Sequence, residues 1–210
     1  MSRAITSRQV QQATFSIAPF TGPFLASFGR PELRGAWIVY GGSGSGKTTF
    51  LLQLASYLST FARVAYNSLE QGLSLSLQRA WMRVGIPADA NIVLLDRESE
   101  ADLRRRLAAR RAPRIVIIDS LQYWPRFSLQ SYLSLRHACP DTLFIFVAHA
   151  KGDQPKGAVA QAVRFDADVK IRVEGYKAFV TTRFENPDTH EGGADFIIWP
   201  EGARRYWNGL

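Results

Sequence analysis

Hydrophobic residues along this chain follow two alternating patterns. Short continuous apolar runs, of the kind that form buried strands, recur at 36–40 (Ala-Trp-Ile-Val-Tyr), 62–67, 92–95, 114–119 and 143–148. Between them, apolar residues fall at helical spacing over 49–58, 73–84, 99–111 and 129–138. Strand and helix in alternation predict an α/β fold, a mainly parallel sheet covered by helices on both faces. The pattern changes after His149. Residues 150–165 read as a loop containing glycine and lysine, and from Ala167 onward strands are predicted at 169–173, 177–184 and 195–199. The tail 204–207 is a candidate for one more short strand, giving a C-terminal antiparallel β-meander. Before Gly35, Phe15, Phe20, Phe24 and Phe28 are separated by Pro19, Pro23 and Pro31, a proline density that resists a regular helix. Residues 1–34 are therefore expected to form an arm that either wraps its own core or docks on a neighbouring subunit. Residues 35–210 are expected to form one domain.

The first apolar run leads into Gly41-Gly42-Ser43-Gly44-Ser45-Gly46-Lys47-Thr48, the pattern G-x-x-x-x-G-K-[ST]. A strand before it and an amphipathic stretch after it supply the context this phosphate-binding loop requires. Glycines let successive backbone N–H groups converge on a phosphate chain, and the following helix N-terminus adds partial positive charge. Residues Gly41, Gly42, Ser43, Gly44, Ser45, Gly46, Lys47, Thr48 and Thr49 are thus the expected ATP-binding segment. In it, Lys47 reaches the β and γ phosphates and the Thr48 hydroxyl sits on Mg²⁺.

Three further polar residues stand at the ends of apolar runs. Asp119 closes 114–119, where a carboxylate gains nothing from packing and burial is costly, so a role in holding Mg²⁺ is expected. Glu70 lies just beyond the second strand. It can polarise an attacking water, or it can complement the dipole of the helix that follows. His149 ends 143–148 and can sense the γ-phosphate, or it can simply be a surface histidine.

Composition changes the picture in two ways. A net charge of +8 favours a polyanionic partner, nucleic acid first. A single cysteine, Cys139, with no signal-like apolar segment and no run able to span a membrane, leads to the expectation of a cytoplasmic protein without membrane contact. The arginine-rich stretch from Arg97 to Arg114 is interleaved with Asp96, Glu98, Glu100 and Asp102 and reads as a solvated helix face.

Taken together, the loop at 41–48, Ser68-Leu69-Glu70, Ile117-Ile118-Asp119-Ser120, Val147-Ala148-His149 and the stretch 168–175 resemble the RecA-type P-loop ATPases, in particular the RadA, DnaB-helicase and KaiC branch. The likeness spans about Gly35 to Trp199 and is greatest to small single-domain members found in prophages. It implies a RecA-like core, Glu70 as catalytic base, His149 as phosphate sensor and a homo-oligomeric ring or filament acting on DNA, most naturally single-stranded. Arg183 stands where the branch places an arginine that reaches a neighbour's nucleotide. Thr181 and Glu185 depart from that branch's Lys-Asn-Arg-Phe-Gly pattern, so one expected cation is missing. Two loops implied to contact nucleic acid would be 122–127, with Trp124 and Arg126, and 151–164, with Lys151, Lys156 and Arg164. An ATP-gated assembly or loader protein with little turnover is the second functional reading. A small-molecule kinase is a third, disfavoured because no arginine-bearing lid is evident.

Overall fold

The computed structural model describes residues 4–209; positions 1–3 of the expected arm and Leu210 of the domain lie outside the described residues. Its elements are α1 (Ser7–Gln11), α2 (Gly22–Phe28), β1 (Gly35–Gly41), α3 (Lys47–Leu58), β2 (Val64–Ser68), α4 (Leu75–Val84), β3 (Ile92–Asp96) and α5 (Glu100–Leu107). They continue with β4 (Ile115–Asp119), a 3₁₀ turn at Leu121–Tyr123, α6 (Leu129–Ala138), β5 (Leu143–Lys151), β6 (Gln154–Pro155), α7 (Ala158–Asp166), β7 (Val169–Glu174), β8 (Lys177–Thr182), β9 (Phe196–Ile197) and α8 (Pro200–Asn208).

The sheet runs β3-β2-β4-β5-β1-β7-β8-β9. Neighbours from β3 to β7 are parallel, and β8 and β9 add antiparallel strands. Strand side chains alternate between two cores. Trp37, Val39, Tyr66, Ile115, Ile117, Ile145 and Val147 pack beneath α3. Ile38, Tyr40, Ala65, Val116, Ile118, Phe144 and Phe146 pack against Leu103 of α5, Tyr132 and Leu135 of α6 and Val163 of α7. Two buried faces explain why the central strands read as unbroken apolar runs. β3 is an edge strand and only half buried, which corrects its expected full burial.

Four other expectations are corrected. The proline-rich arm contains two helices: Pro23 lies in the first turn of α2, where its missing N–H costs nothing. Phe20 and Phe28 from this segment are fully buried in the core, with Phe28 stacked on Trp37 and Phe24 stacked on Tyr57 of α3. The tail is helix α8, begun by Pro200, with Trp199, Ala203 and Trp207 at four-residue spacing. Residues 150–165 are mostly ordered structure. β5 runs on to Lys151, Gly152 turns the chain at a φ of 60°, β6 pairs back, and α7 buries Ala160 and Val163. The strands expected at 177–184 and 195–199 are shorter, ending at Thr182 and covering only Phe196–Ile197.

Candidate active site

Parallel strands all deliver their C-terminal ends to one edge, and four of those ends carry the polar residues picked out above. β1 passes through Gly41 into the loop. Gly44 and Gly46 hold φ of 71° and 103°, conformations natural only to glycine, and Gly46 caps α3. A Cβ on Gly41 would collide with the Val173 carbonyl oxygen, and one on Gly46 would press on Tyr176 at 3.1 Å. On the open side, a Cβ on Gly42 or Gly44 meets nothing within 4 Å. Lys47 folds back onto the loop, its ammonium donating to the carbonyls of Gly41 at 3.0 Å and Gly42 at 2.6 Å. Burial pulls its pKa down, against the fields of Asp119 and Glu70. Thr48 and Thr49, half buried, occupy the first turn of α3.

Asp119 ends β4 beside Ser68 of β2, and its side chain is only 7% exposed. Its backbone carbonyl accepts from the N–H groups of both Leu69 (2.6 Å) and Glu70 (3.0 Å), which fixes the turn carrying Glu70. Tyr66, fully buried, donates its hydroxyl to Asp119 Oδ2 at 2.6 Å. Burial, and secondarily Glu70, hold the Asp119 carboxyl above the usual carboxylate range; Tyr66 and Lys47 oppose this. Burial and then Asp119 push the Tyr66 phenol far above its ordinary value, so it remains a donor.

Glu70 Oε2 lies 2.9 Å from His149 Nε2 and accepts from Ser120 Oγ at 3.3 Å. Gln122 joins this cluster to the following segment. Its Oε1 accepts from the His149 backbone N–H at 3.1 Å and its Nε2 donates to the Lys156 carbonyl at 2.7 Å. The Lys156 N–H returns a bond to the His149 carbonyl at 2.7 Å. Lys47, Thr48, Glu70, Asp119 and His149 therefore stand on one sheet edge.

The remaining expected residues divide. Arg183 follows β8, is 60% exposed and pairs with Asp168 at 3.1 Å, at the opposite end of the sheet. Since Asp168 is bonded to Ala36, Arg183 is separated from Gly41 of its own chain by five residues of strand, about 17 Å. Lys151, Lys156 and Arg126 are exposed, as a nucleic-acid contact requires. Trp124 is not: it is 4% exposed and stacked on Phe127 at 4.2 Å, so its place among nucleic-acid contacts is corrected to a core role. Arg164 also turns inward, over the Tyr40 ring, donating to the Tyr40 hydroxyl at 3.2 Å and Gln154 Oε1 at 3.0 Å.

Sequence reading missed Tyr66, Ser120, Gln122 and the flank of the loop. There, a hollow of about 400 Å³ is lined by Arg172, Glu174, Tyr176 and Tyr206 beside Gly41–Ser45, and the Tyr176 N–H donates to the Ser45 carbonyl at 3.1 Å. The approach of the Gly175–Tyr176 turn to residue 45 depends on tertiary packing.

A triphosphate with Mg²⁺ fits these residues. Space is free beside Gly42 and Gly44, Ser45 Oγ is buried without a partner, and the buried Asp119 carboxylate acts on Lys47. Among the described residues, no helix is long and apolar enough to cross a membrane.

No protein-family model matches this sequence, and no curated protein matches it. Solved structures do. One is an ATPase domain, with a TM-score of 0.58 and 17% identity over 82% of this chain and 84% of that one. Another is a KaiC-like protein from Pyrococcus horikoshii, with a TM-score of 0.54 and 20% identity over 73% and 79%. A third is the flagellar accessory protein FlaH from Methanocaldococcus jannaschii, with a TM-score of 0.54 and 17% identity over 77% and 82%. This chain shares the RecA-like α/β fold of these structures.

Proposed function

We propose that the protein is an Mg²⁺-dependent ATPase that works as a homo-oligomer and couples its nucleotide cycle to DNA, in a cytoplasmic setting. The carrying observation is the convergence of Lys47, Thr48, Glu70, Asp119 and His149 on one sheet edge beside an open phosphate loop. Thr48 and Asp119 would hold Mg²⁺, which when bound neutralises phosphate charge. Lys47, leaving the carbonyls of Gly41 and Gly42, would bind the β and γ phosphates. Base and ribose would lie in the hollow beside Tyr176 and Tyr206. Glu70 would take a proton from the attacking water as the water oxygen bonds to the γ-phosphorus and the bond from that phosphorus to the ADP oxygen breaks. His149, against Glu70 and bonded through Gln122 to Lys156, would tell the 151–156 hairpin whether a γ-phosphate is present.

Oligomerisation enters through Arg183. At about 17 Å along the strand from its own loop, Arg183 would serve the nucleotide of another copy. Arg126, Lys151 and Lys156 supply exposed cations for DNA. Steady-state phosphate release with and without single-stranded DNA tests the proposal: stimulation by DNA supports it, and a rate at the buffer blank in both conditions sinks it. The ATP-gated assembly reading keeps one point in its favour, the missing lysine at Thr181. It predicts that ATP shifts the size-exclusion profile while DNA changes nothing.

A further inference from the structure

The positive charge of this chain is not spread evenly once its ion pairs are resolved. In the arginine-rich stretch, Arg97, Arg104, Arg105 and Arg106 are each matched, to Asp96, Glu100, Asp102 and Glu98. Arg110, Arg111 and Arg114, just beyond α5, form no ion pair among the described residues, and neither does Arg63. β2 and β4 pair with Val64 opposite Ile115, so the residues before them, Arg63 and Arg114, stand side by side, and the Arg114 N–H donates to the Arg63 carbonyl at 3.1 Å. Adjacent strands lie about 4.8 Å apart. Two neighbouring arginines without a carboxylate partner concentrate positive charge that an anion would relieve. Arg63 Nη1 donates to the Arg111 carbonyl at 3.1 Å, which ties the third arginine to the pair. Arg63, Arg111 and Arg114 line an open hollow of about 560 Å³ whose walls include Phe61, Ile92 and Ala112 and which no carboxylate lines. Asp141 lies in the adjoining hollow that Arg114 also lines and makes no ion pair with it among the described residues.

We propose that this hollow, at the end of the sheet opposite the phosphate loop, is a second nucleic-acid site that grips the sugar–phosphate backbone of a strand. Guanidinium groups match phosphate oxygens with two parallel N–H donors, and the apolar wall accepts sugar and base faces. Its openness suits a chain lying across it better than a small molecule, which a pocket encloses. The site rests on the nucleic-acid partner of the function proposed above and not on hydrolysis.

Fluorescence anisotropy with a labelled oligothymidylate, repeated across a salt series without nucleotide, tests it. The variants are Arg111→Glu with Arg114→Glu, a charge-matched control Arg8→Glu with Arg79→Glu, and a conservative Arg111→Lys with Arg114→Lys; Mg·ATP binding by each reports an intact fold. The glutamate pair at the hollow should weaken binding at least tenfold and lower the salt slope by roughly 1.4, two phosphates at about 0.7 each. The control and lysine pairs should keep the wild-type slope. If the glutamate pair binds like the control while wild type binds well, the second site is overturned and the proposed function stands. If wild type binds no oligonucleotide, both the site and the DNA partner fall. Equal displacement of the oligonucleotide by polyglutamate would overturn the nucleic-acid assignment in favour of an acidic polypeptide.

Discussion

The buried hydroxyl of Tyr66 donates to Asp119 Oδ2 at 2.6 Å, from one strand to the next. This bond orients the carboxylate proposed to hold Mg²⁺. Tyr66→Phe removes one donor to a buried charge, a loss of about 1.5–3 kcal/mol. The expected result is a rise of roughly tenfold or more in the Mg²⁺ needed for half-maximal activity, with the ATP requirement at saturating Mg²⁺ unchanged. A variant that loses stability but keeps the wild-type Mg²⁺ requirement would reduce Tyr66 to a packing residue.

Asp119 itself carries a pH signature. Burial raises its folded pKa above the value of about 3.9 in an unfolded chain, so the folded state holds this proton more tightly. The stability it contributes is complete below the unfolded pKa and is lost as pH rises through the raised folded value. At pH 7 without Mg²⁺, ionised Asp119 is therefore a cost. Asp119→Asn keeps an acceptor for Tyr66 and removes the charge. Its melting temperature should exceed that of wild type at pH 7, by roughly 2–4 °C for each kcal/mol relieved. The gap should close as pH falls toward 4. Mg·ATP should then stabilise wild type and not the variant. A lower melting temperature for the variant at pH 7 would contradict this electrostatic picture.

Trp124 is buried against Phe127, so its loss is felt in the core. Trp124→Ala should cost about 3–5 kcal/mol of folding free energy. At a temperature where the variant stays folded, its affinity for single-stranded DNA should match wild type. A selective loss of DNA binding with unchanged stability would return Trp124 to the interface.

Glu70, the proposed base, contacts His149 and Ser120. Glu70→Gln preserves size and hydrogen bonding and removes the base. Turnover should fall by about 10²–10⁴ while nucleotide affinity, measured by equilibrium binding, stays within a few-fold of wild type. Retained turnover would move the base elsewhere.

The α/β core was legible because burial on both faces leaves strands as apolar runs that few other elements produce, as at 114–119 and 143–148. The phosphate loop was legible because its glycines are demanded by backbone geometry at Gly41, Gly44 and Gly46. Helix α7 was hidden because lysines and glycines at 151–157 precede a short alanine-rich segment whose apolar stripe, Ala160 and Val163, is only one turn long. Helix α8 was hidden by aromatics that suit strands equally well. Gln122 and Tyr66 gave no local signal, since their roles arise from neighbours 27 and 53 residues away in sequence. The burial of Trp124, beside exposed Tyr123 and Arg126, likewise depends on packing between elements.

The most direct measurement mixes two inactive forms. Arg183→Ala keeps Glu70 and lacks the cation offered to a neighbour, and Glu70→Gln keeps Arg183 and lacks the base. Each alone should lose most ATPase activity, Arg183→Ala by up to about 10³–10⁵ if the arginine acts as such groups do elsewhere. Combined in equal amounts, Arg183 from the Glu70→Gln copies should complete sites in the Arg183→Ala copies, and DNA-stimulated phosphate release should rise well above either parent. A mixture no more active than the average of its parents, with wild type active under the same conditions, would contradict a hydrolytic centre shared between subunits.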